Sequence, residues 1–311
     1  MTNKKEKTFY TSYFLYSDCV RGKRNSKIFY SCIKFSMNFC LHIPENPVIN
    51  HYISCVWEFH GGERYEEYII PKGIVEVIFN LAEPIRGKMP YSNKFTKAPV
   101  CFIQGVHNQP VVAKYSGMHH LFGIRFKPYV IQEFFRISPA EIKNRLVDIF
   151  LIQPEFRDLW NRLGEAKNFQ ERVAIVENSL KFHYLTKCSR SVYFCNLFYS
   201  DKINAFESVD KLAGEVCYSS RQLSRKSHQF FGLSAEELVL YKKYLHAVRL
   251  MHHKPARLID IALESGFYDQ PHFNRAFKYF TGLTPREYQH KKTDLPFHLF
   301  LSNSQTVNLS D

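Results

Sequence analysis

Two spacings of hydrophobic residues divide the chain. Between residues 48 and 126, short apolar and β-branched runs alternate with turn residues, a pattern typical of many short strands. The clearest strand is predicted at residues 74–79, directly after a Pro-Lys-Gly turn. The other predicted strands are residues 48–59, 68–70, 100–105, 111–115 and 120–126. Their regular spacing indicates a small barrel or sandwich.

Beyond residue 127 the apolar positions recur every three or four residues, as on one face of a helix. Ser138 is a predicted helix cap, with Pro139 in the first helical position and Glu141 completing a capping box. Helices are predicted over residues 129–136, 154–164 and 169–185. They either connect the β-rich part to the C-terminal third, contribute to self-association, or cover one face of the β structure.

Residues 209–238 and 258–288 repeat one pattern. Each copy has an apolar residue followed by Ala, a short helix, a turn, a second helix with an apolar anchor, and a terminating Gly. This order is typical of a helix-turn-helix unit. The paired positions are Leu212 and Ile261, Ala213 and Ala262, Cys217 and Gly266, Leu223 and Phe273, Arg225 and Arg275, and Gly232 and Gly282.

Residues suited to helix ends support this layout. Ser219 and Gln222 form a predicted capping box at the start of the second helix of the first copy, and Asp269 caps its counterpart. Residues 236–251 predict a long amphipathic helix that would hold the two units at a fixed separation. Left-handed backbone is expected at Gly232, Gly266 and Gly282.

Residues 206–289 resemble the DNA-binding domain of AraC/XylS-type transcription regulators. The second copy carries the more specific match, in residues 260–262, 266–270 and 284–285. The resemblance implies a sequence-specific regulator, with activation favoured, that places two recognition helices in successive major grooves of double-stranded DNA, roughly 34 Å apart. The side chains that it assigns to the bases are Arg221, Gln222, Ser224 and Arg225 in one groove and Gln270, His272, Asn274 and Arg275 in the other.

The first copy departs from the family pattern at Ser227, where Phe is usual and where the second copy has Phe277. It also has Ser234 and Ala235 where a Pro commonly follows. Looser packing of the first unit is therefore expected. For Arg225 and Arg275 the alternative to DNA contact is an ion pair with a neighbouring helix.

Residues 47–126 resemble the N-terminal β-rich sensor region of some of these regulators. That resemblance implies a small cupin-like barrel that binds a small-molecule effector, dimerises, or does both. Trp57, Glu76 and Arg125 are the candidate effector-binding residues, since the last two place charges inside apolar strands. The favoured alternative for Glu76 and Arg125 is a structural buried pair or an exposed sheet face. A protein-interaction module without a ligand is the other interpretation of this region.

These patterns predict an α+β chain of two domains, a small cupin-like β-barrel with a helical connector and an all-α domain with two helix-turn-helix units. The expected divisions are a basic disordered arm at residues 1–36, a β-rich effector or dimerisation domain at 37–127, the connector at 128–200, the DNA-binding domain at 201–292 and a tail at 293–311. Met37 is an alternative natural start, in which case the arm is an added extension.

Charge alone does not decide the function. The net charge is +13, but the surplus is concentrated in residues 1–36 rather than in the two repeated units. No apolar run is long enough to span a membrane, and the N-terminus lacks a signal-peptide pattern, so a cytoplasmic protein is expected. A homodimer and contact with RNA polymerase are further expectations.

The sequence offers no pattern for an enzyme or a metal. The eight cysteines form no C-x-x-C pair, and nucleotide-binding and nucleophile-elbow motifs are absent. His119 and His120 are adjacent on a strand and would point to opposite faces. We therefore expect no catalytic residues, no metal, no cofactor and no disulfide framework. A cupin-like enzyme fused to a DNA-binding domain is the remaining alternative.

Overall fold

A β-rich part precedes a helical part, as the sequence predicts. The computed structural model describes residues 28–32, 37–62, 64–90, 92–180, 189–253, 255–293 and 295–301. The strands are β1 Ile28–Cys32, β2 Met37–His42, β3 Ile53–Gly61, β4 Tyr65–Ile69, β5 Val75–Asn80, β6 Arg86–Lys88, β7 Thr96–Lys97, β8 Cys101–Gln104, β9 Val111–Tyr115, β10 His119–Phe126, β11 Leu146–Asp148 and β12 His298–Leu301. The helices are α1 Pro47–Tyr52, α2 Pro128–Phe134, α3 Pro139–Ile142, α4 Phe156–Glu165, α5 Phe169–Ser179, α6 Ser189–Tyr199, α7 Val209–Glu215, α8 Ser220–Phe231, α9 Ala235–His253, α10 Leu258–Glu264, α11 Gln270–Thr281 and α12 Pro285–Lys291.

The strands form two antiparallel sheets, which confirms the predicted β-rich domain, and the barrel is not closed. The larger sheet has the order β1-β2-β3-β10-β5-β8-β11, and the smaller one has the order β12-β4-β9-β6-β7. The aromatic side chains of Tyr65 and Tyr115 on the smaller sheet pack with Trp57, Phe102 and other apolar residues of the larger sheet. The outermost strands of each sheet pair on one side only, so the two sheets form a sandwich with open edges.

The opposite face of the larger sheet is covered by helices. The Phe79 ring stacks on Phe156 of α4, and the Phe122 ring contacts Phe169 of α5. Side chains alternate between the two faces along each strand, so one sheet supplies both cores. The helices predicted after residue 127 therefore cover this face, which was one of the open interpretations.

A helix replaces the beginning of the first predicted strand. Pro47 occupies the first turn of α1, and the Asn46 side chain accepts a hydrogen bond from Val48 N at 2.9 Å. These two N-terminal signals outweigh the β-branched residues that predicted strand from residue 48. The strand begins at Ile53 instead.

Strands from outside the predicted β-rich segment complete both sheets. β1 lies within the predicted disordered arm and pairs with β2. The other residues of that arm lie outside the described residues. β11, inside the predicted helical connector, pairs with β8. β12, inside the predicted tail, pairs with β4. Backbone pairing satisfies amide groups whatever the side chains are, so composition did not reveal these strands.

Buried hydrogen bonds join the β-rich part to the helical part. The Tyr68 hydroxyl donates to Thr281 O at 2.8 Å, and the Tyr244 hydroxyl donates to Pro71 O at 3.0 Å. The Phe297 carbonyl accepts from Ile70 N at 3.0 Å, next to the pairing of β12 with β4. The main apolar core runs without a break through both parts. No helix in the described ranges is long and apolar enough to cross a membrane.

Candidate nucleic-acid interface

The first helix-turn-helix unit is α7, a turn and α8. Ser219 accepts a hydrogen bond from Gln222 N at 3.3 Å, and the Gln222 side chain accepts from Ser219 N at 2.9 Å, which completes the predicted capping box. Cys217 in the turn has φ of 51°, the left-handed region that glycine occupies at little cost. Leu212 and Ala213 of α7 are buried where the helices cross.

The second unit, α10, a turn and α11, repeats this geometry. Gly266 has φ of 79° in the turn, as expected. Asp269 caps α11 by accepting from His272 N at 2.7 Å. Gly232 and Gly282 end α8 and α11 with φ of 67° and 69°. Both units therefore start and stop their second helices where the sequence predicts.

The long helix α9 braces the two units. Lys243 lies on α9, and its ammonium donates to Glu207 O, at the entry to the first unit, at 2.9 Å. Its methylene stem lies beside the turn of the second unit, where a Cβ added at Gly266 would come within 3.6 Å of the Lys243 Cε atom. Burial lowers the pKa of Lys243, and the nearby Glu207 carboxylate opposes that shift. One side chain of α9 thus donates to the entry of the first unit and lies beside the turn of the second.

The predicted contact residues of α8 lie on its open face. Arg221, Gln222, Ser224 and Arg225 are exposed, whereas Leu223 is buried. In the C-terminal half of α8, the Gln229 side chain donates to Gln132 of α2 at 2.7 Å. The four predicted contact residues of α8 thus all lie exposed in its N-terminal half.

The predicted contact residues of α11 are less uniformly exposed. Arg275 is exposed, while Gln270, His272 and Asn274 are half-buried. The His272 ring packs edge-on against Phe267 at 5.4 Å between centroids, and burial together with nearby cations lowers the pKa of His272. The side-chain oxygen of Asn274 is buried and has no hydrogen-bond partner among the described residues.

Arg225 and Arg275 occupy equivalent places on α8 and α11. Within the described ranges, neither guanidinium forms an ion pair or a hydrogen bond to another side chain. By contrast, Arg257, three residues before Asp260, is held by that carboxylate at 2.8 and 2.9 Å. The two arginines therefore present their charge and donors to solvent.

The structure adds two exposed side chains that sequence reasoning missed. Tyr268 stands immediately before the cap of α11 and is 88% exposed. Lys278 lies one turn beyond Arg275 on the exposed face of α11. Helical spacing could have indicated Lys278, since residues three apart share a face. Tyr268 carried no such signal because it lies in the turn.

Ser227 is fully buried on α8, and its hydroxyl has no hydrogen-bond partner among the described residues. The matching Phe277 of α11 is also fully buried, and its ring contacts Tyr244, Phe273 and Tyr288. The first unit thus lacks the aromatic anchor that the second unit has. The sequence indicates this difference between the two units, because Ser227 stands where the second unit has Phe277.

The three candidate effector residues meet around one carboxylate in the β-rich part. Glu76 is fully buried, and its carboxylate accepts from Trp57 Nε1 at 3.1 Å and Gln104 Nε2 at 2.6 Å. Lys72 Nζ lies 3.3 Å and Arg125 Nη2 lies 3.9 Å from the same carboxylate. We call these five residues the Glu76 cluster.

Opposing effects act on the pKa of Glu76. Burial raises it, but the charges of Lys72 and Arg125 and the hydrogen bonds from Trp57 and Gln104 hold it below its ordinary value. The Trp57 ring also lies so close to Gly123 that a Cβ there would overlap it at 2.0 Å. Trp57, Glu76 and Arg125 therefore face the interior of the sandwich and share one ion-pair network.

Two families match separate parts of the chain. The family described as "Helix-turn-helix domain" matches residues 212–291, and "Domain of unknown function (DUF6597)" matches residues 42–148. The chain is 32% identical over 94 residues to the probable transcription factor PqrA of Proteus vulgaris, which covers 30% of this chain and 77% of that protein.

Other relatives share only part of their length. The transcriptional activator RhaR of Escherichia coli is 30% identical over 83 residues, covering 27% of this chain and 29% of RhaR. The chain therefore spans less than a third of that relative. Among solved structures, ToxT from Vibrio cholerae aligns with a TM-score of 0.41 and 14% identity over 74% of this chain and 98% of ToxT.

The match to PqrA extends over most of that protein, and the helix-turn-helix family match at residues 212–291 spans both helix-turn-helix units. The repeated capped helices and the bracing helix agree with that assignment. The chain belongs to the AraC/XylS-type family of transcription regulators.

Proposed function

We propose that this chain is a sequence-specific DNA-binding regulator that inserts α8 and α11 into successive major grooves, with residues 201–292 as its DNA-binding domain. One observation carries the proposal: two capped helices, held by α9, present equivalent and unpaired arginines, Arg225 and Arg275. A helix fits the major groove, where every base pair shows its own pattern of donors and acceptors. Two different helices on one chain can then read an asymmetric site.

The side chains suit different partners on the DNA. Arg225 and Arg275 can donate two hydrogen bonds to guanine or contact a phosphate, and Gln270 and Asn274 suit adenine edges. Because the side-chain oxygen of Asn274 is buried in the free protein, its two-bond contact with adenine requires this side chain to turn toward the groove. Tyr268 stands at the open end of α11, where a hydroxyl can reach the phosphate backbone.

Activation is the outcome that we propose, since RhaR is named a transcriptional activator. It requires a second surface for RNA polymerase, and homodimerisation is a further proposal. We assign the chain no catalytic role. A protein that reads DNA works where the DNA is, so we propose the cytoplasm.

Control by a small molecule in the N-terminal region forms the second part of the proposal. The support is His107, whose two ring nitrogens are buried and have no hydrogen-bond partner in the described part of the chain. Burial and the Lys72 charge lower its pKa to about 4, so the ring is neutral. Its backbone carbonyl accepts from Tyr241 of α9 at 2.6 Å, which connects this polar interior to the bracing helix. A metabolite screen that produces no thermal shift would favour an interaction module instead.

The DNA-binding proposal can be tested by footprinting on the upstream region of the protein's own gene. Wild type is compared with Arg225→Ala and Arg275→Ala at two salt concentrations. Arg162→Ala is the matched control, because Arg162 is an exposed arginine outside both helix-turn-helix units, 3.7 Å from Asp158 on α4 and donating to Ser179 of α5 at 2.9 Å. Each recognition-helix variant should weaken binding by about 1–3 kcal/mol and relax base preference.

The salt dependence separates the two possible roles of each arginine. Loss of a phosphate contact reduces the slope of log affinity against log salt by about one, whereas loss of a base contact changes sequence preference. The proposal is wrong if all three variants bind like wild type and binding is indifferent to sequence. Charge alone would then explain the affinity.

A further inference from the structure

Two histidines and a glutamate meet on the helix-covered face of the larger sheet. Glu58 and His60 are two residues apart on β3, so both side chains lie on one face. His120 of β10 is the register partner of His60. One ligand atom from each of the three residues lies within 4.8 Å of the others. These residues are separate from the Glu76 cluster and from both helix-turn-helix units.

The contacts of the Glu58 carboxylate are unevenly distributed. Its Oε1 atom lies 2.9 Å from His120 Nε2 and also contacts His60 Nε2. The two imidazole rings are stacked, with centroids 3.8 Å apart and planes inclined by 24°. The Oε2 atom is buried and has no hydrogen-bond partner in the described ranges. A buried carboxylate oxygen without a partner is costly, and a bound cation would satisfy it.

Arg172 of α5 holds the carboxylate in place from one side. Its Nη1 atom lies 3.3 Å from Glu58 Oε1, while Nε donates to Leu163 O at 2.9 Å and Nη2 to Ala166 O at 2.6 Å. The guanidinium therefore has fixed partners and approaches only Oε1. The second oxygen remains for an ion, and a bound ion would replace the contacts that the two imidazole Nε2 atoms make with Oε1.

The cluster is open to solvent at one residue. The His60 side chain is 42% exposed, whereas those of His120 and Glu58 are 16% and 3% exposed. An ion can reach the ligand atoms past His60 without opening the core. The site is thus anchored at Glu58 and accessible at His60.

We propose that Glu58, His60 and His120 bind a divalent transition-metal ion, with Zn²⁺ as the best match. Two imidazoles and one carboxylate are an established donor set for Zn²⁺ and for iron(II), whereas Mg²⁺ and Ca²⁺ prefer oxygen ligands. Three protein ligands leave a fourth position for water. The nearby Arg172 charge opposes a cation, so the site binds more weakly than a closed structural zinc site.

A bound ion would link β3 to β10 and thereby stabilise the sheet that carries Arg125. Metal binding at this site would act on the protein independently of the DNA contacts proposed for α8 and α11. Its test therefore does not depend on the proposed function.

The test uses the full chain after removal of metal with a chelator. Titration with Co²⁺ reports binding through visible absorption, and Zn²⁺ should displace the cobalt and raise the melting temperature. His60→Asn removes the accessible ligand. His42→Asn is the matched control, because His42 is a half-exposed histidine of the same sheet bonded to a single carboxylate, Glu177, at 3.1 Å.

The expected result is one metal per chain, an affinity reduced at least about tenfold in His60→Asn, and wild-type affinity in His42→Asn. Metal-free His60→Asn loses a contact with the buried Glu58 carboxylate and should melt somewhat lower than metal-free wild type, but in one cooperative transition, which separates loss of metal from loss of fold. The proposal is overturned if wild type binds no Co²⁺ or Zn²⁺. It is equally overturned if His60→Asn binds metal like wild type, since the ion would then lie elsewhere.

Discussion

Replacing Ser227 with alanine should stabilise the protein. Ser227 lies on α8, is fully buried, and its hydroxyl has no hydrogen-bond partner among the described residues. The hydroxyl loses its hydration on folding without gaining a partner. Alanine keeps the backbone and the Cβ atom and removes only the unsatisfied group.

The magnitude follows from three effects. Burial of an unsatisfied polar group costs about 1–3 kcal/mol, and alanine is the better helix former by roughly 0.5 kcal/mol. The void left by one oxygen atom offsets part of this gain. We therefore expect the free energy of unfolding of Ser227→Ala to rise by about 1–2 kcal/mol.

Urea unfolding followed by circular dichroism measures the effect. The midpoint should rise with an unchanged dependence on urea. Thr281→Val is the matched control, since Thr281 is also fully buried but its hydroxyl lies 2.7 Å from Phe277 O and accepts from Leu283 N at 3.1 Å. That variant should lose about 1–2 kcal/mol, because it breaks satisfied bonds.

The opposite sign for Ser227→Ala would refute the reasoning. A loss of stability would mean that the serine hydroxyl has a partner in solution, such as the carbonyl one turn earlier. DNA affinity should not change, since Ser227 lies on the buried face of α8 and Arg225 on the exposed face. A variant that is more stable but binds DNA poorly would indicate that looseness in the first unit serves binding.

Two further predictions concern buried groups of the helical part. Burial and the Lys292 charge lower the pKa of His252 from 6.5 to about 3. Between these two pH values the unfolded chain binds a proton that the folded chain does not. The free energy of unfolding therefore falls by about 1.4 kcal/mol for each pH unit as the pH drops through this range. Unfolding at pH 6.5 and at lower pH should show a smaller loss in His252→Gln, and equal losses would contradict the assignment. Tyr68→Phe should lower stability by about 1–2 kcal/mol, because it leaves the buried Thr281 carbonyl without its 2.8 Å bond. The exposed Tyr193→Phe should change urea stability little, and equal effects of the two would argue against this link.

Local signals explain why the helix-turn-helix units could be predicted closely. Ser219 and Asp269 cap helices within their own sequence neighbourhood, and Gly232 and Gly282 end them by adopting left-handed backbone. None of these effects needs a distant partner. The left-handed conformation of Cys217 was not indicated, because the turn imposes on a cysteine what Gly266 adopts freely.

Charge placement shows the limit of sequence reasoning in the β-rich part. Glu76 and Arg125 are candidates because they place charges inside apolar strands, and Trp57 because an aromatic side chain can line a pocket; the structure brings the three together. Whether that network holds a ligand stays a prediction. The Glu58, His60 and His120 group gave no signal, since it depends on β3 lying against β10 in one register. A shift of one residue would move His120 to the other face.

The sequence by itself determined the order of β-rich and helical parts, the doubled helix-turn-helix unit and the ends of its helices. Periodicity, caps and glycines act over a few residues and therefore survive without tertiary contacts. The tertiary structure alone decided that two sheets stay open, that β11 and β12 complete them, and that Tyr68 bonds to Thr281. Pairing between residues far apart in sequence depends on backbone hydrogen bonds and shared burial, which leave no local pattern in the chain.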